Sequence, residues 1–568
     1  MTFTQLALLA RTAAYLQPGQ PVHRARLRAQ RAALHRWPTA GRRLLAGRPW
    51  TVGDAGWPGR FQPVDAVTAQ SLPSSARLRS GRMMLLGVAR DLGDPPDWRQ
   101  SEAPLLWRFH LHYWEWAWAL AVEPDLALAR RVFAQLWRSW LDASPFGRGD
   151  AWFPYPAALR AWAWCGLHGR LVAGTGLESG FVAELAAHAG FLRRHLESDV
   201  GGNHLIKNLK ALIGVAVFFA DERLLQRALR RLTRQVAVQV LTDGGHYERA
   251  PAYHCQVLAD LVDVDSLVRA AGAIPPAPIG DAITRMRRWL GAALTPVGDV
   301  PLLNDGYPVN RRLVAALRPD PPPPHPLLTL PDTGLARATV GGWHLLTDVG
   351  APCPDELPGH AHADSLSCLV YVDGAPLLVD TGTSTYDNGP RRDYERSTAA
   401  HNTLEVDGAN STEVWGAFRA ARRARVFDFD AGADSAGVTV EAAHDGYRRL
   451  PGSPIHRRRW FLDDCGMQVE DLVTGRGRHT VAIRWHLAPE SVLRLGPGEA
   501  AVTTPAGAFH VGVTSVVRTQ LRCESGLVAL GFGRTVRAPV LTCRLEAELP
   551  VRVTTRWRRG QQGGGRIA

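Results

Sequence analysis

The chain reads as two domains of different class, a ring of paired α-helices followed by an antiparallel β-sandwich. Three observations predict this. From Pro104 to about Arg318, apolar residues recur at helical spacing in segments of similar length separated by short turns. Residues 319–326, PDPPPPHP, make a proline-rich break. Beyond it the apolar period falls to two, in β-branched runs bounded by Gly and Asp turns. At 568 residues the chain is also too long for one ordinary core.

Taken in order, residues 1–103 form an arginine-rich helical segment and a lead-in. The first 50 residues hold nine arginines and no acid. TQLALLARTAAYL and VHRARLRAQRAALHRW are helix-like, with a Pro-Gly break between them. A solvated helical face packed on the next domain is expected there; a membrane or partner surface is the alternative. The Gly- and Pro-rich stretch 51–103 reads as short strands and loops. Helices are expected over 105–122, 126–142, 153–173, 178–195, 203–220, 222–240, 253–272 and 280–295 within a domain spanning 104–318. Evenly sized helical hairpins suggest an α/α solenoid or toroid. Ten of the nineteen tryptophans lie between Trp98 and Trp164. Most should be core, with a few lining a cleft where sugar rings could stack. Residues 319–333 read as linker, 334–558 as the sandwich and 559–568 as a disordered tail.

Composition bounds the function. Apolar content of 46% and charge of 21% are those of a folded soluble protein. No apolar run approaches the length of a membrane span. The seven scattered cysteines contain no C-x-x-C pair, so neither a disulfide framework nor a cysteine zinc site is signalled. LALLA before Arg11 is too short for a signal peptide, which makes the cytoplasm the default location. The net charge of +13 is almost all arginine and suits an anionic partner bearing carboxylate or sulfate. No zinc finger, RNP motif or basic heptad region points to nucleic acid.

Gly359–Thr403 is the stretch richest in chemistry. His360, His362 and Asp364 alternate. Ser365–Val372 reads as a strand, Asp373-Gly374 as a tight turn and Ala375–Asp380 as the return strand. His362, Asp380 and His401 supply two imidazoles and a carboxylate, a set that suits one divalent ion, zinc above all. Each residue alone is better read as a satisfied polar group at a sheet end; the cluster favours a site. A two-residue hairpin pairs Asp380 with Ser367, and a straight strand would leave His362 about 16 Å away. The His-Ala-His-Ala-Asp segment must therefore curl back over the hairpin.

Two helical motifs complete the set. In GGNHLIKNLKAL, Asn203 can cap a helix, and Asn203, Lys207 and Lys210 share one face. These are the chain's two lysines, and with the amide they suit a carboxylate ligand. The rival reading is a capped helix with solvated lysines. In LTDGGHYERAPAYHCQVLADL, Tyr253 and His254 sit in the first turn of a Pro-initiated helix, where the dipole favours a phenolate able to act as base or acid.

Together GGNHLIKNLKAL, DGGHYERAPAYH, GHAHADSLS, LLVDTGTSTY and RSTAAHNTLEVDG, with WGAFR after it, resemble the heparinase II/III-like superfamily of polysaccharide lyases. The likeness runs in order over residues 100–480. It implies an incomplete (α/α) toroid before an antiparallel β-sandwich, and β-elimination on a uronate-bearing acidic polysaccharide. In this resemblance Asn203 and His360 neutralise the uronate carboxylate, which acidifies the C5 proton and stabilises the enolate-like intermediate. Tyr253 matches the tyrosine that moves protons, and His204 is the rival base. His362, Asp380 and His401 match structural metal ligands. Lys210, Tyr247, Arg396 and Asn402 occupy positions expected to bind substrate. A second catalytic tyrosine has three candidates, Tyr386, Tyr394 and Tyr447. The resemblance implies a cell-envelope or periplasmic setting, against the cytoplasmic default. A non-catalytic glycan-binding or assembly protein is the competing class. Hydrolysis would need paired carboxylates across one cleft, and no such pair stands out. Substrate identity and oligomeric state are not written in the chain.

Overall fold

The computed structural model describes residues 3–45, 56–64, 66 and 75–560. It is mainly helical up to residue 317, with one short hairpin of Arg82–Leu85 and Val88–Asp91, and strand-rich from residue 327. Helices Leu126–Ala143, Pro154–Leu171, Glu178–Arg194, Gly202–Phe218, Glu222–Gln239, Pro251–Ala270 and Ala277–Ala293 lie where the apolar period places them. Local signals set their starts. Asp125 and Asp221 accept from the backbone N–H groups of Leu128 and Leu224, and Pro154 and Pro251 begin helices without wasting a donor.

The segment expected as one helix over 105–122 is instead broken. Leu105–Tyr113 ends at Trp114, whose φ is +65°, and a short turn leads to Trp118–Ala121. Tertiary packing overrides propensity here. The Trp114 indole stacks on Trp98 at 6.0 Å and meets Trp140 and Trp164 edge-on. Most of the expected tryptophans are core. Trp107 also lines an interdomain pocket.

Among the described residues the C-terminal part contains three large antiparallel sheets of five, four and eight strands that share one apolar core, and a two-stranded ribbon of Val414–Trp415 and Arg419–Ala420. The five-stranded sheet runs Leu327–Leu330, Leu335–Val340, Trp343–Asp348, Cys368–Val372, Ala375–Leu378. Its first strand falls inside the stretch read as linker, because four residues carry too little alternation to register. The expected hairpin around Asp373-Gly374 is present, with a register shift between Val370 and Tyr371. Residues 359–366 are not strand, so the His-Ala-His-Ala-Asp segment does curl back. The expected tail disorder falls mostly on residues 561–568, outside the described residues, as does part of the lead-in.

A small shared core joins the two parts. Trp289, Ala292 and Leu303 pack against Leu330, Leu335, Leu346 and Leu369. The Trp289 indole N–H donates to Thr333 Oγ1 at 2.8 Å, and Thr333 donates to Asp243. This seam brings the ends of several helices against the curled histidine segment.

Candidate active site

Gly201 and Gly202, at φ +72° and +52°, turn the chain into the Gly202–Phe218 helix. A Cβ on Gly202 would lie 1.8 Å from Glu248 Oε1, so only glycine fits beneath that carboxylate. Asn203 is not the cap that its position suggests. Glu248 takes that role, accepting from Asn203 N at 2.8 Å and from Asn203 Nδ2 at 2.9 Å. An anion at a helix N-terminus is favoured by the dipole.

The hub of the site is Asp305, which sequence reasoning missed. It sits in the Asn304-Asp305-Gly306 turn after the last long helix and is fully buried. His360 Nδ1 donates to it at 2.8 Å, His362 Nε2 at 2.9 Å, Arg392 Nη2 at 2.9 Å and Thr383 Oγ1 at 3.2 Å. Burial alone would raise this carboxyl, but Arg392 and the two histidines outweigh burial and hold it well below the ordinary range. One acid from the helical part thus orients both histidines of the sandwich part. His360 Nε2 in turn lies 3.4 Å from Glu248 Oε2.

Tyr253 stacks on His360, ring centroids 3.8 Å apart, and its hydroxyl meets that of Tyr386 at 2.7 Å. Tyr386 is therefore the candidate that reaches Tyr253. Tyr447 is buried, donating to Leu404 O, and Tyr394 lies against Gly526. Burial, then Tyr307 and Asp305, push the Tyr253 hydroxyl well above its usual value. Burial thus opposes the Tyr253 phenolate that the helix dipole alone would favour. Beside it, the His204 ring packs on Tyr155 at 4.4 Å, and His204 Nδ1 donates to Glu197 at 3.2 Å. Burial lowers His204, but Glu197 outweighs it and the net shift is upward. Asn208 holds Glu197 in turn, through Nδ2 at 3.1 Å.

Three expected substrate contacts are corrected. Lys210 is buried, with Nζ 2.9 Å from Asp260 and 2.6 Å from Asp263. Its carboxylate partners come from its own chain. Arg396 is buried and donates to Ala361 O and Gly416 O, clamping the backbone between His360 and His362. Asn402 donates to Cys368 O and Val379 O and accepts from His486 N, tying loop to sheet. Tyr247 remains half-buried at the site, its hydroxyl accepting from Gly202 N at 3.0 Å.

The expected metal ligands do gather. His401 Nδ1 donates to Asp380 at 2.8 Å, and the His362 and His401 rings lie 5.3 Å apart. Among the described residues no three His, Cys, Asp or Glu side chains are set to hold an ion as they stand. Yet, among the described residues, His362 Nδ1 and His401 Nε2 are buried without a hydrogen-bond partner, and both Asp364 oxygens are buried without a side-chain one. Each imidazole thus gives one nitrogen to a carboxylate and keeps the other bare, the pattern of a metal-ligating histidine. The donors fit zinc in kind.

Two family models match in the order of the two domains. Heparinase II/III N-terminus covers residues 105–318, and Heparinase II/III-like, C-terminal covers residues 322–558. The chain belongs to the heparinase II/III family. A crystal structure of heparinase III superposes with a TM-score of 0.74 at 16% identity, covering 97% of this chain and 93% of that one. Heparan sulfate lyase HepC from Pedobacter heparinus gives 0.58 at 17% identity, covering 95% and 89%. These establish the fold, an α/α toroid followed by a β-sandwich domain. FtsZ-localized protein C of Caulobacter vibrioides is 27% identical over 486 residues, covering 79% of this chain and 80% of that protein.

Asp305→Asn should remove the charge that pairs Arg392 and orients both histidines, destabilising the fold by about 3–5 kcal/mol at neutral pH. Because the folded pKa is depressed, this contribution is complete above the ordinary carboxylate range and is lost only as pH falls through the lowered value. Urea unfolding of wild type and variant across pH 3 to 7, on the order of one pH unit apart, checks both magnitude and sign.

Proposed function

We propose that this heparinase-family protein cleaves a uronate-bearing acidic polysaccharide by β-elimination. The observation that carries this reading is the contact of Tyr253, from the helical domain, with His360, from the sandwich. In this reading a uronate carboxylate meets the exposed edge of His360, with Asn203 behind it, which lowers the cost of charge on C5. His204 Nε2 takes the C5 proton, held in orientation by Glu197. The C5–H electrons form the C4–C5 double bond, the C4–O bond breaks, and Tyr253 protonates the leaving oxygen. Tyr386 lies in position to return a proton to Tyr253.

One divalent ion, zinc in preference, is part of the proposal. His362 Nδ1, His401 Nε2 and Asp364 would hold it, with Asp380 orienting His401 rather than binding directly. It would supply positive charge that joins the histidine loops to the sheet.

A second reading is favoured by the relative whose name places it with FtsZ: a glycan-binding or assembly protein at the division site that retains the lyase fold. Turnover separates the two.

Tyr253→Phe keeps the ring on His360 and removes the hydroxyl alone. Turnover should fall by roughly 10²–10⁴-fold with binding retained, checked by steady-state kinetics beside calorimetric titration. His204 must be neutral to act as base, and its pKa is raised. The acid limb of kcat/KM should therefore lie above the ordinary histidine range, and Glu197→Gln should move it to lower pH. A limb that stays in place would exclude His204. Elemental analysis of protein purified without chelator should find one metal per chain, and its removal should lower Tm more than it changes kcat.

A further inference from the structure

The first two helices reach across the seam between the domains. Phe3–Ala13 touches the sandwich side: Arg11 pairs with Glu413 at 2.8 Å, and Trp415 Nε1 donates to Thr12 Oγ1 at 3.0 Å. Tyr15, just beyond, lies under the Arg423 guanidinium at 3.7 Å. Gly19–Arg36 then runs along the helical domain, where Arg31 lies over Phe153 at 4.1 Å and Arg148 donates to His35 O. Between these anchors one amide spans both domains. Gln20 Nε2 donates to Asp199 O at 3.1 Å and to Glu356 O at 3.3 Å, and Arg24 pairs with the Asp199 carboxylate.

These bridged points flank the chemistry. Asp199 precedes Asn203 by four residues, and Glu356 precedes His360 by four. Leu357 packs so closely on Gly202 that a Cβ there would lie 2.7 Å from it. The two catalytic loops therefore already touch at this side, and the helices cover the join. At another point along the seam the two domains leave an opening. A pocket of about 360 Å³ begins at Tyr386 and is lined by Trp107, Asn388, Arg391 and Phe532, with no residue of the first two helices in its wall.

We propose that residues 3–36 are a clasp that closes one end of the interdomain cleft, so that a glycan reaches Tyr253 by its chain end, through the pocket at Tyr386. The chain-end part rests on the lyase reading above; the clasp itself does not. An open cleft admits the middle of a polymer, whereas a cleft closed at one end admits a terminus and releases short products.

The test uses the full chain and the double variant Gln20→Ala/Arg24→Ala, which leaves every proposed catalytic group in place. Without any glycan, hydrogen exchange of the backbone at 199–202 and 356–359 should accelerate by ~10-fold or more in the variant. Unchanged exchange would overturn the clasp. Alginate, heparan sulfate and hyaluronan, each as polymer and as tetrasaccharide, are then digested and the products sized. Wild type should release unsaturated products of one or two sugars from the outset, and the double variant longer ones as well. A random ladder from wild type overturns the chain-end role. No unsaturated product from any probe would remove the lyase reading, and with it the chain-end role, while the exchange result still decides the clasp.

Discussion

One buried negative charge sets the rest of this site. Asp305 comes from the helical domain, but most of its partners are on the sandwich side: His360, His362, Thr383 and Arg392. A carboxylate in so dry a place is tolerated only because a guanidinium and two imidazoles surround it. The same bonds fix the tautomer and heading of each imidazole, since an N–H given to Asp305 leaves the other nitrogen for a second task. For His360 that second nitrogen looks toward Glu248; for His362 it has no partner among the described residues. The interdomain seam and the chemistry are thus one construction.

Around that charge, the two domains supply complementary parts. The helical domain gives Asn203, His204, Glu248 and Tyr253; the sandwich gives His360 and Tyr386. Stacking of Tyr253 on His360 holds the hydroxyl toward Tyr386 rather than toward bulk water. Burial pushes both tyrosine hydroxyls well above their usual value. The residues behind them serve geometry. Arg396 grips the carbonyl of Ala361 between the two histidines, and Lys210 neutralises Asp260 and Asp263 beneath the helix that bears Asn203.

The fold was largely legible because its signal is periodic. A 3.6-residue period over 17 residues, as in Glu178–Arg194, survives any single exception. The break at Trp114 was not legible, since stacking on Trp98 is a tertiary fact that no local window contains. The site was legible in part. Motifs tell which positions matter but not which way their side chains face: Lys210, Arg396 and Asn402 stand at substrate-binding positions of the pattern, yet they face backbone carbonyls and buried acids. Asp305, Glu197 and Glu248 escaped because an acid in a turn or at a helix start is ordinary in sequence. Only the fold brings them against His360 and His204. Asp364 stands in the motif, yet its significance lies in buried oxygens with no side-chain partner among the described residues.

The measurement closest to the central claim is the mass balance of a single cleavage. An acidic oligosaccharide of known mass, drawn from the uronate polymers above, is incubated with the protein and its two products are weighed by mass spectrometry. β-Elimination consumes no water, so the two product masses should sum to that of the parent, and one product should carry the ultraviolet absorbance of a conjugated uronate. A sum that exceeds the parent by one water, without that absorbance, would mean hydrolysis and would contradict the roles assigned to Tyr253, His204 and His360.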